Sequence, residues 1–212
     1  MTLPTAPPAA VGLLGAQLGL VTDYGRLLAG DAVVRGLIGP RETARLWERH
    51  LLNCAAVTEL LPFGARVVDV GSGAGLPGLV LACARPDLTV DLVDSLARRT
   101  SFLTQAVEQL GLADRVRVHT GRAEDPAIVA MVGGAEWVTA RAVAPLDRLA
   151  RWCLPLVRSG GSLLAIKGST AQDEMDSHRR QLTRLGAASV SLAHCGSTWL
   201  AEPVRVVVVV RR

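Results

Sequence analysis

Residues 67 to 78 read VVDVGSGAGLPG. A β-branched, apolar run carries one acid, Asp69, and then breaks into glycines at 71, 73, 75 and 78. β-branched residues favour a strand, and glycine permits a tight turn with close approach of a ligand to bare backbone. The apolar run LPGLVLACA follows and reads as a helix ending near Arg85-Pro86. Strand, glycine loop and helix in that order mark the first unit of a sheet that binds its ligand beyond the carboxyl ends of the strands.

Outward from this unit the same alternation continues. TVDLVD is a second strand, LARRTSFLTQAVEQL an amphipathic helix ended by Gly111, RVRVHT a third strand and EWVTARA a fourth. LDRLARWCLPLV is a helix, GSLLAIKG a fifth strand, and AQDEMDSHRRQLTRL a polar helix ended by Gly186. ASVSLAH and VRVVVVVRR close the chain as two strands with only the loop from Cys195 to Pro203 between them. Alternating strands and helices argue for a parallel sheet covered on both faces. The last two strands should pair as a hairpin, which makes the seven-stranded sheet mixed.

Upstream, residues 1 to 62 read as a small N-terminal helical extension, and 63 to 212 as the main domain, together one compact unit. Met1 to Ala10 read as a loose tail. After Pro40, Leu46, Cys54, Val57, Leu60 and Leu61 recur at helical spacing, with His50 and Asn53 on the same stripe.

Composition excludes several classes. Half of the 212 residues are hydrophobic and a fifth charged, which is globular rather than disordered. No run approaches the roughly 18 apolar residues of a membrane span, and the apolar N-terminus lacks the basic residues of a secretory leader. Cys54, Cys83, Cys153 and Cys195 form no C-x-x-C pair, and the histidines are dispersed, so no metal site is expected. Scattered thiols fit a reducing, cytoplasmic setting. The net charge of +4 suits an anionic partner such as nucleic acid. Lys167 is the single lysine, which marks position 167 as one needing an ammonium.

Two ligand classes use such a glycine loop. Gly73 to Gly78 fit G-x-G-x-x-G, the dinucleotide fingerprint. Asp69 to Gly75 fit D-x-G-x-G-x-G better, because glycine begins directly after the strand. That pattern is the first motif of S-adenosylmethionine-dependent methyltransferases. A carboxylate beside the cofactor's ammonium and sulfonium would be favourable. Asp94 ends the second strand, 23 residues after Gly71, where an acid accepts from ribose hydroxyls; it is equally placed to cap the following helix. Glu124, after the third strand, falls where the adenine lies, or is a solvated loop acid.

With these residues placed, the chain resembles the RsmG family, also called GidB, the bacterial small-subunit rRNA guanine-N7 methyltransferases. The resemblance runs from about Leu46 to Arg212. It rests on ERHLLN (48–53), VDVGSGAGLPGL (68–79), LVDS (92–95), GRAED (121–125), TARAVAPL (139–146) and AIKG (165–168). Residues 1 to 40 match that family's helices poorly. The resemblance implies a Rossmann-like class I methyltransferase sheet, S-adenosyl-L-methionine as donor with S-adenosyl-L-homocysteine as product, and no metal. The implied acceptor is a guanine in the 530 loop of 16S rRNA, met as RNA or as a small-subunit assembly particle by a monomer.

The cofactor-binding set expected on this basis is Asp69, Gly71, Gly73, Gly75, Leu76, Asp94, Ala123, Glu124 and Arg141. Arg141 should stand where cofactor and acceptor meet, or else form a surface ion pair. Lys167 is expected to hold the target's phosphate or guanine edge, or to be a solvated strand-end lysine. His50 lines the acceptor mouth or is a satisfied core histidine. Among the arginines, Arg41, Arg45, Arg49, Arg98, Arg99, Arg179 and Arg180 are the phosphate candidates, though a charge run is usually a solvated face.

The stretch RAVAPL after the fourth strand lacks the Asn/Asp-Pro-Pro-aromatic turn of amino-group methyltransferases, and Cys153 sits in a helix rather than a nucleophile position. Guanine N7 carries a lone pair and no proton, so it needs alignment and dryness but no general base. A small-molecule methyltransferase and a non-catalytic RNA- or nucleotide-binding module remain open as alternatives.

Overall fold

The computed structural model describes residues 2–141 and 144–212. The chain opens with helices α1 (Pro8–Leu14) and α2 (Leu18–Leu27). Between Leu28 and Leu60 the helical turns differ in pitch, and a non-helical turn at residues 35–39, with Gly36 at φ 66°, separates the first from the rest. A π turn covers Leu28–Ala32, a 3-10 turn Pro40–Arg45, a second π turn Leu46–Leu51, then α3 Leu52–Ala56 and a last 3-10 turn Val57–Leu60. The single helix that periodicity predicts after Pro40 is therefore broken into four pieces of differing pitch.

The sheet follows. Strand β1 is Arg66–Val70, helix α4 Gly78–Ala84, β2 Thr89–Asp94, α5 Ala97–Gln109 and β3 Val116–Thr120. Then come α6 Pro126–Val132, β4 Ala135–Arg141, α7 Leu146–Cys153, β5 Val157–Lys167, α8 Ala171–Arg184, β6 Ala187–Cys195 and β7 Val204–Arg211. The seven strands lie in the order β3-β2-β1-β4-β5-β7-β6. β7 is antiparallel to both β5 and β6, and the pairings among β1 to β5 are parallel. The order reverses between β1 and β4, so their carboxyl ends open the crevice in which such sheets hold ligands.

Side-chain alternation sorts the strands onto two cores. Val67, Val90, Leu92, Val116, Leu164 and Val206 join the N-terminal helices, α4 and α5 on one face. Val68, Val93, Val138, Ala140, Leu163 and Val207 join α6, α7 and α8 on the other. Period two across a sheet buried on both sides produces this division.

Three expectations change. Residues 2–10 are no loose tail: Trp47 donates its indole N–H to the Pro4 carbonyl at 2.8 Å, and Leu3 packs against the first core. Helix α6 was not read from the sequence, although Asp125 caps it by accepting from the Ala127 N–H at 2.9 Å and Pro126 begins it. β5 starts at Val157, earlier than Gly161, because Gly160 adopts φ 73° and lets the strand bend without ending. The expected fourth strand extends to Ala142, which with Val143 lies outside the described residues.

Tyr24 of α2 ties the N-terminal helices to the glycine loop. It is fully buried, and its hydroxyl donates to the Ala74 carbonyl at 2.5 Å across 50 residues of sequence. Burial pushes its phenol well above the ordinary range, so it stays a donor. Tyr24→Phe leaves that carbonyl without its partner and should lower stability by about 1–2 kcal/mol in urea unfolding. A variant as stable as the parent would show that the bond contributes nothing.

Candidate cofactor and acceptor site

The glycine loop is shaped by bonds from three sides. The N–H groups of Gly71 and Ser72 donate to the Val93 carbonyl at 2.8 and 3.2 Å, which carries the chain off β1 toward β2. The Gly73 N–H donates to Asp94 Oδ2 at 2.9 Å. Gly75 sits at φ 96°, and a Cβ there would fall 2.7 Å from the Tyr24 hydroxyl and from Leu79. Only glycine meets both demands.

Beneath the loop lies Asp69, fully buried. Oδ1 accepts from the Thr139 hydroxyl at 2.9 Å, and Oδ2 accepts from the Gly78 N–H, the first of α4, at 3.1 Å. A Cβ on Gly78 would stand 2.8 Å from Asp69, so the close approach of helix to strand needs this glycine too. Burial raises the Asp69 carboxyl to about 6, against the lowering effect of those two bonds. The carboxylate expected to meet an ammonium thus faces its own loop from behind. Its oxygens are engaged by backbone and threonine, and it does not line the cavities above. It also blocks the dinucleotide alternative, because the start of α4 is capped by an anion where a pyrophosphate would need bare N–H groups.

Two cavities open above the carboxyl ends of the strands. The larger, about 320 Å³, is bounded by loop residues 71–74 and Leu76, by Leu37, Ile38 and His50, and by Arg99 and Arg141. Gly75, expected in the cofactor set, faces Tyr24 and Leu79 and borders neither cavity. The smaller, about 170 Å³, has Asp94 and Ser95 on one side and Gly121, Arg122, Ala123 and Trp152 on the other. Gly71 and Arg99 belong to both walls. Asp94 is buried; besides the Gly73 N–H it accepts from the Leu96 N–H at 3.0 Å and from Arg99 Nη1 at 3.2 Å. It therefore holds the loop, turns the chain into α5 and still borders the smaller cavity.

Of the other expected residues, Gly71, Gly73, Leu76 and Arg141 border the larger cavity and Ala123 the smaller. Glu124 points outward, 3.8 Å from exposed Arg122, and lines neither. Arg141 and His50 come together. Arg141 Nη2 donates to His50 Nδ1 at 2.5 Å and to the Arg49 carbonyl at 3.2 Å, and Nη1 to Cys54 Sγ at 3.0 Å. His50 Nε2 meets Glu42 Oε2 at 2.9 Å. Burial, then the Arg141 charge, hold His50 below its ordinary value.

Lys167 is placed elsewhere. Its ammonium donates to the Ala144 carbonyl at 2.9 Å and pairs with Glu174 at 3.0 Å, and it borders neither cavity. Glu174 also accepts from the Leu146 N–H at 2.9 Å. The lone lysine is thus a strut joining β5, the start of α7 and α8, which corrects the acceptor role read from its rarity. Arg179 pairs with Asp176 on α8 and lines neither cavity.

Sequence reasoning gave Arg99 only a phosphate role, yet it forms the wall shared by both cavities. Its position in the first turn of α5, five residues beyond Asp94, was a usable signal. Leu37 and Ile38 came from the stretch assigned no contacts, and nothing local marks them.

Two outcomes test this geometry. Asp69 has its folded value raised from 3.8 to about 6, so its contribution is fully present below 3.8 and is lost as pH rises through about 6. Asp69→Asn does not titrate, so the stability of the parent relative to this variant should fall by about 2 kcal/mol between pH 4 and pH 7 in urea unfolding. Lys167→Ala should cost about 2 kcal/mol, since it strands a half-buried Glu174. A variant as stable as the parent in urea unfolding would show that the strut contributes nothing and would reopen the acceptor role.

The comparisons with known proteins bear on what this arrangement serves. The family model GidB, rRNA small subunit methyltransferase G, matches residues 17–202. That reaches far ahead of Leu46 and corrects, for residues 17 to 40, the reading that residues 1 to 40 match the family poorly. The ribosomal RNA small subunit methyltransferase G of Salinispora arenicola is 57% identical, covering 98% of this chain and 88% of its own. That of Mycolicibacterium gilvum is 48% identical, covering 97% and 90%. Among solved structures, Aeropyrum pernix fibrillarin, with natively bound S-adenosyl-L-methionine, superposes at TM-score 0.55 with 17% identity over 76% of this chain and 75% of its own. The mitomycin 7-O-methyltransferase superposes at 0.63 with 19% identity over 97% and 69%. At those identities the likeness is one of fold alone. With the matching model and such relatives along nearly its whole length, the chain belongs to the GidB family, rRNA small subunit methyltransferase G.

Proposed function

We propose that this chain transfers a methyl group from S-adenosyl-L-methionine to N7 of a guanine in the 530 loop of 16S rRNA. It does so in the cytoplasm, on RNA or on a small-subunit assembly particle. The observation that carries this reading is the meeting of two cavities at Gly71 and Arg99 in a chain of this family. One is edged by a carboxylate and Ala123, which suits a ribose and its base; the other by the glycine loop and Arg141, which suits an amino-acid end with an acceptor beyond it.

When bound, the cofactor supplies an electrophilic methyl carbon on a cationic sulfur. Asp94 would accept from the ribose hydroxyls, Ala123 would lie against the adenine, and Gly71 and Gly73 would let the backbone approach the amino-acid portion. The buried Asp69 carboxylate would act on that cation through space, from below the loop. Arg141 and His50 would hold the nucleotide with its N7 pointed inward. Because N7 has a free lone pair, the protein's part is orientation and exclusion of water rather than proton transfer. Cys153 is buried in the α7 core with its thiol pushed far up, so it offers no nucleophile for a covalent route.

Mass spectrometry of 16S rRNA nucleosides and fragments from cells with and without the gene tests the reading. One N7-methylguanosine in the 530 loop should disappear with the gene and return with it. An unchanged methylation pattern would refute the assignment, and so would purified protein that takes up no S-adenosylhomocysteine in calorimetry.

A further inference from the structure

Arg141 enters the larger cavity already bound. A guanidinium can only donate, and it has five N–H groups. Two on Nη2 go to the Arg49 carbonyl and His50 Nδ1, and one on Nη1 goes to Cys54 Sγ. The Nε–H and one Nη1–H remain, with no partner among the described residues. All three acceptors that fix the guanidinium come from one helical stretch, residues 49–54.

The bond to His50 has a chemical condition. Nδ1 accepts from Arg141, so it carries no proton, and in a neutral ring the proton must then sit on Nε2. Glu42 Oε2 stands 2.9 Å from that nitrogen and accepts it. Glu42 lies ahead of His50 on the 3-10 turn and also reaches Arg49 at 3.3 Å. Without Glu42 the imidazole is free to place its proton on Nδ1, where it would oppose the guanidinium N–H.

We propose that Glu42 is a positioning residue for the acceptor. It fixes the His50 proton on Nε2, which leaves Nδ1 to hold Arg141, and so aims the two remaining arginine donors at an acceptor oxygen of the target nucleotide. The inference rests on the methyltransferase reading above and extends it to a residue with no contact to the cavity itself.

Acid supplies a second handle. A doubly protonated His50 has no acceptor on Nδ1, so the contact to Arg141 is lost with falling pH. The charged groups facing His50 are Glu42 from the preceding turn, Arg49 beside it and Arg141 from β4. Burial and Arg141 keep its titration below the ordinary 6.5, while Glu42 opposes them. Removing the Glu42 charge should therefore move the loss to lower pH.

The test measures methyl transfer by the full chain to small subunits from cells lacking the gene, at saturating S-adenosylmethionine, from pH 5 to 8. Glu42→Ala should raise KM for the subunit about tenfold at pH 7.5, with kcat and the dissociation constant for S-adenosylhomocysteine within about twofold. Glu42→Gln keeps an oxygen that accepts from Nε2, so it should recover most of that loss while its acid limb moves to lower pH. His50→Asn puts a non-titrating oxygen near the place of Nδ1 and should remove the acid limb in KM. An unchanged subunit KM in Glu42→Ala, or the parent's acid limb persisting in His50→Asn, overturns the proposal. If the parent protein itself methylates no subunit RNA, the underlying functional reading falls first and this one with it; normal transfer by the parent confines any failure to the role of Glu42.

Discussion

A buried carboxylate sets the geometry from which the rest follows. Asp69 has no contact with water, and an ion taken out of water must be met by donors. Here the donors are the first N–H of α4 and the hydroxyl of Thr139 on β4, so one side chain fixes a strand, its neighbour and the following helix together. The loop from Gly71 to Pro77 is thereby held at both ends. The burial is not free of cost: the rise of the carboxyl to about 6 measures a preference for the neutral form. What the fold gains is an anion directly below the glycine-rich stretch of backbone that follows β1 at the sheet's carboxyl edge. A hydrophobic residue there would pack more easily but would give up the potential, the cap and the fixed spacing at once.

The N-terminal stretch completes what Asp69 begins. Tyr24 holds the Ala74 carbonyl from one side while Asp94 holds the Gly73 N–H from the other. Leu37, Ile38 and His50 wall the larger cavity, and among the described residues, 49–54 supply the three acceptors that orient Arg141. These helices are no appendage to a finished nucleotide-binding sheet. Their apolar residues lie in the same core as β1 and α4, so the wall of the larger cavity is set by packing that also stabilises the loop.

How much of this was legible follows from how local each signal is. The strands were readable because β-branched runs bounded by glycine or charge need no partner to be recognised, and β7 was antiparallel because no helix separates it from β6. The glycine loop and Asp94 were readable because spacing along one chain fixes them. The segment from Leu28 to Leu60 was not, because its helical turns differ in pitch and are interrupted at residues 35–39, and a 3.6-residue template loses phase at each change. Lys167 misled because rarity reports a chemical need without a location: the ammonium was needed, but between Ala144 and Glu174. Asp69 was recognised correctly as exceptional, yet which way its oxygens face depends on Thr139, 70 residues away, and no local pattern carries that.

The disposition of the ionisable groups also bears on the kind of chemistry the site can perform. Asp94 is bonded to two backbone N–H groups and Arg99, His50 to Glu42 and Arg141, and Asp69 to Gly78 and Thr139. Each of these bonds asks for a fixed protonation state, and a group that takes a proton during turnover would break the bond that places it. A general base works best when its proton affinity is matched to the medium and its lone pair faces the substrate. His50, the one group here with an ordinary value near neutrality, has its lone pair turned to an arginine and its titration held below neutral. Such a site is built to hold rather than to exchange protons. An acceptor atom that already carries its lone pair, as guanine N7 does, asks for no more than that.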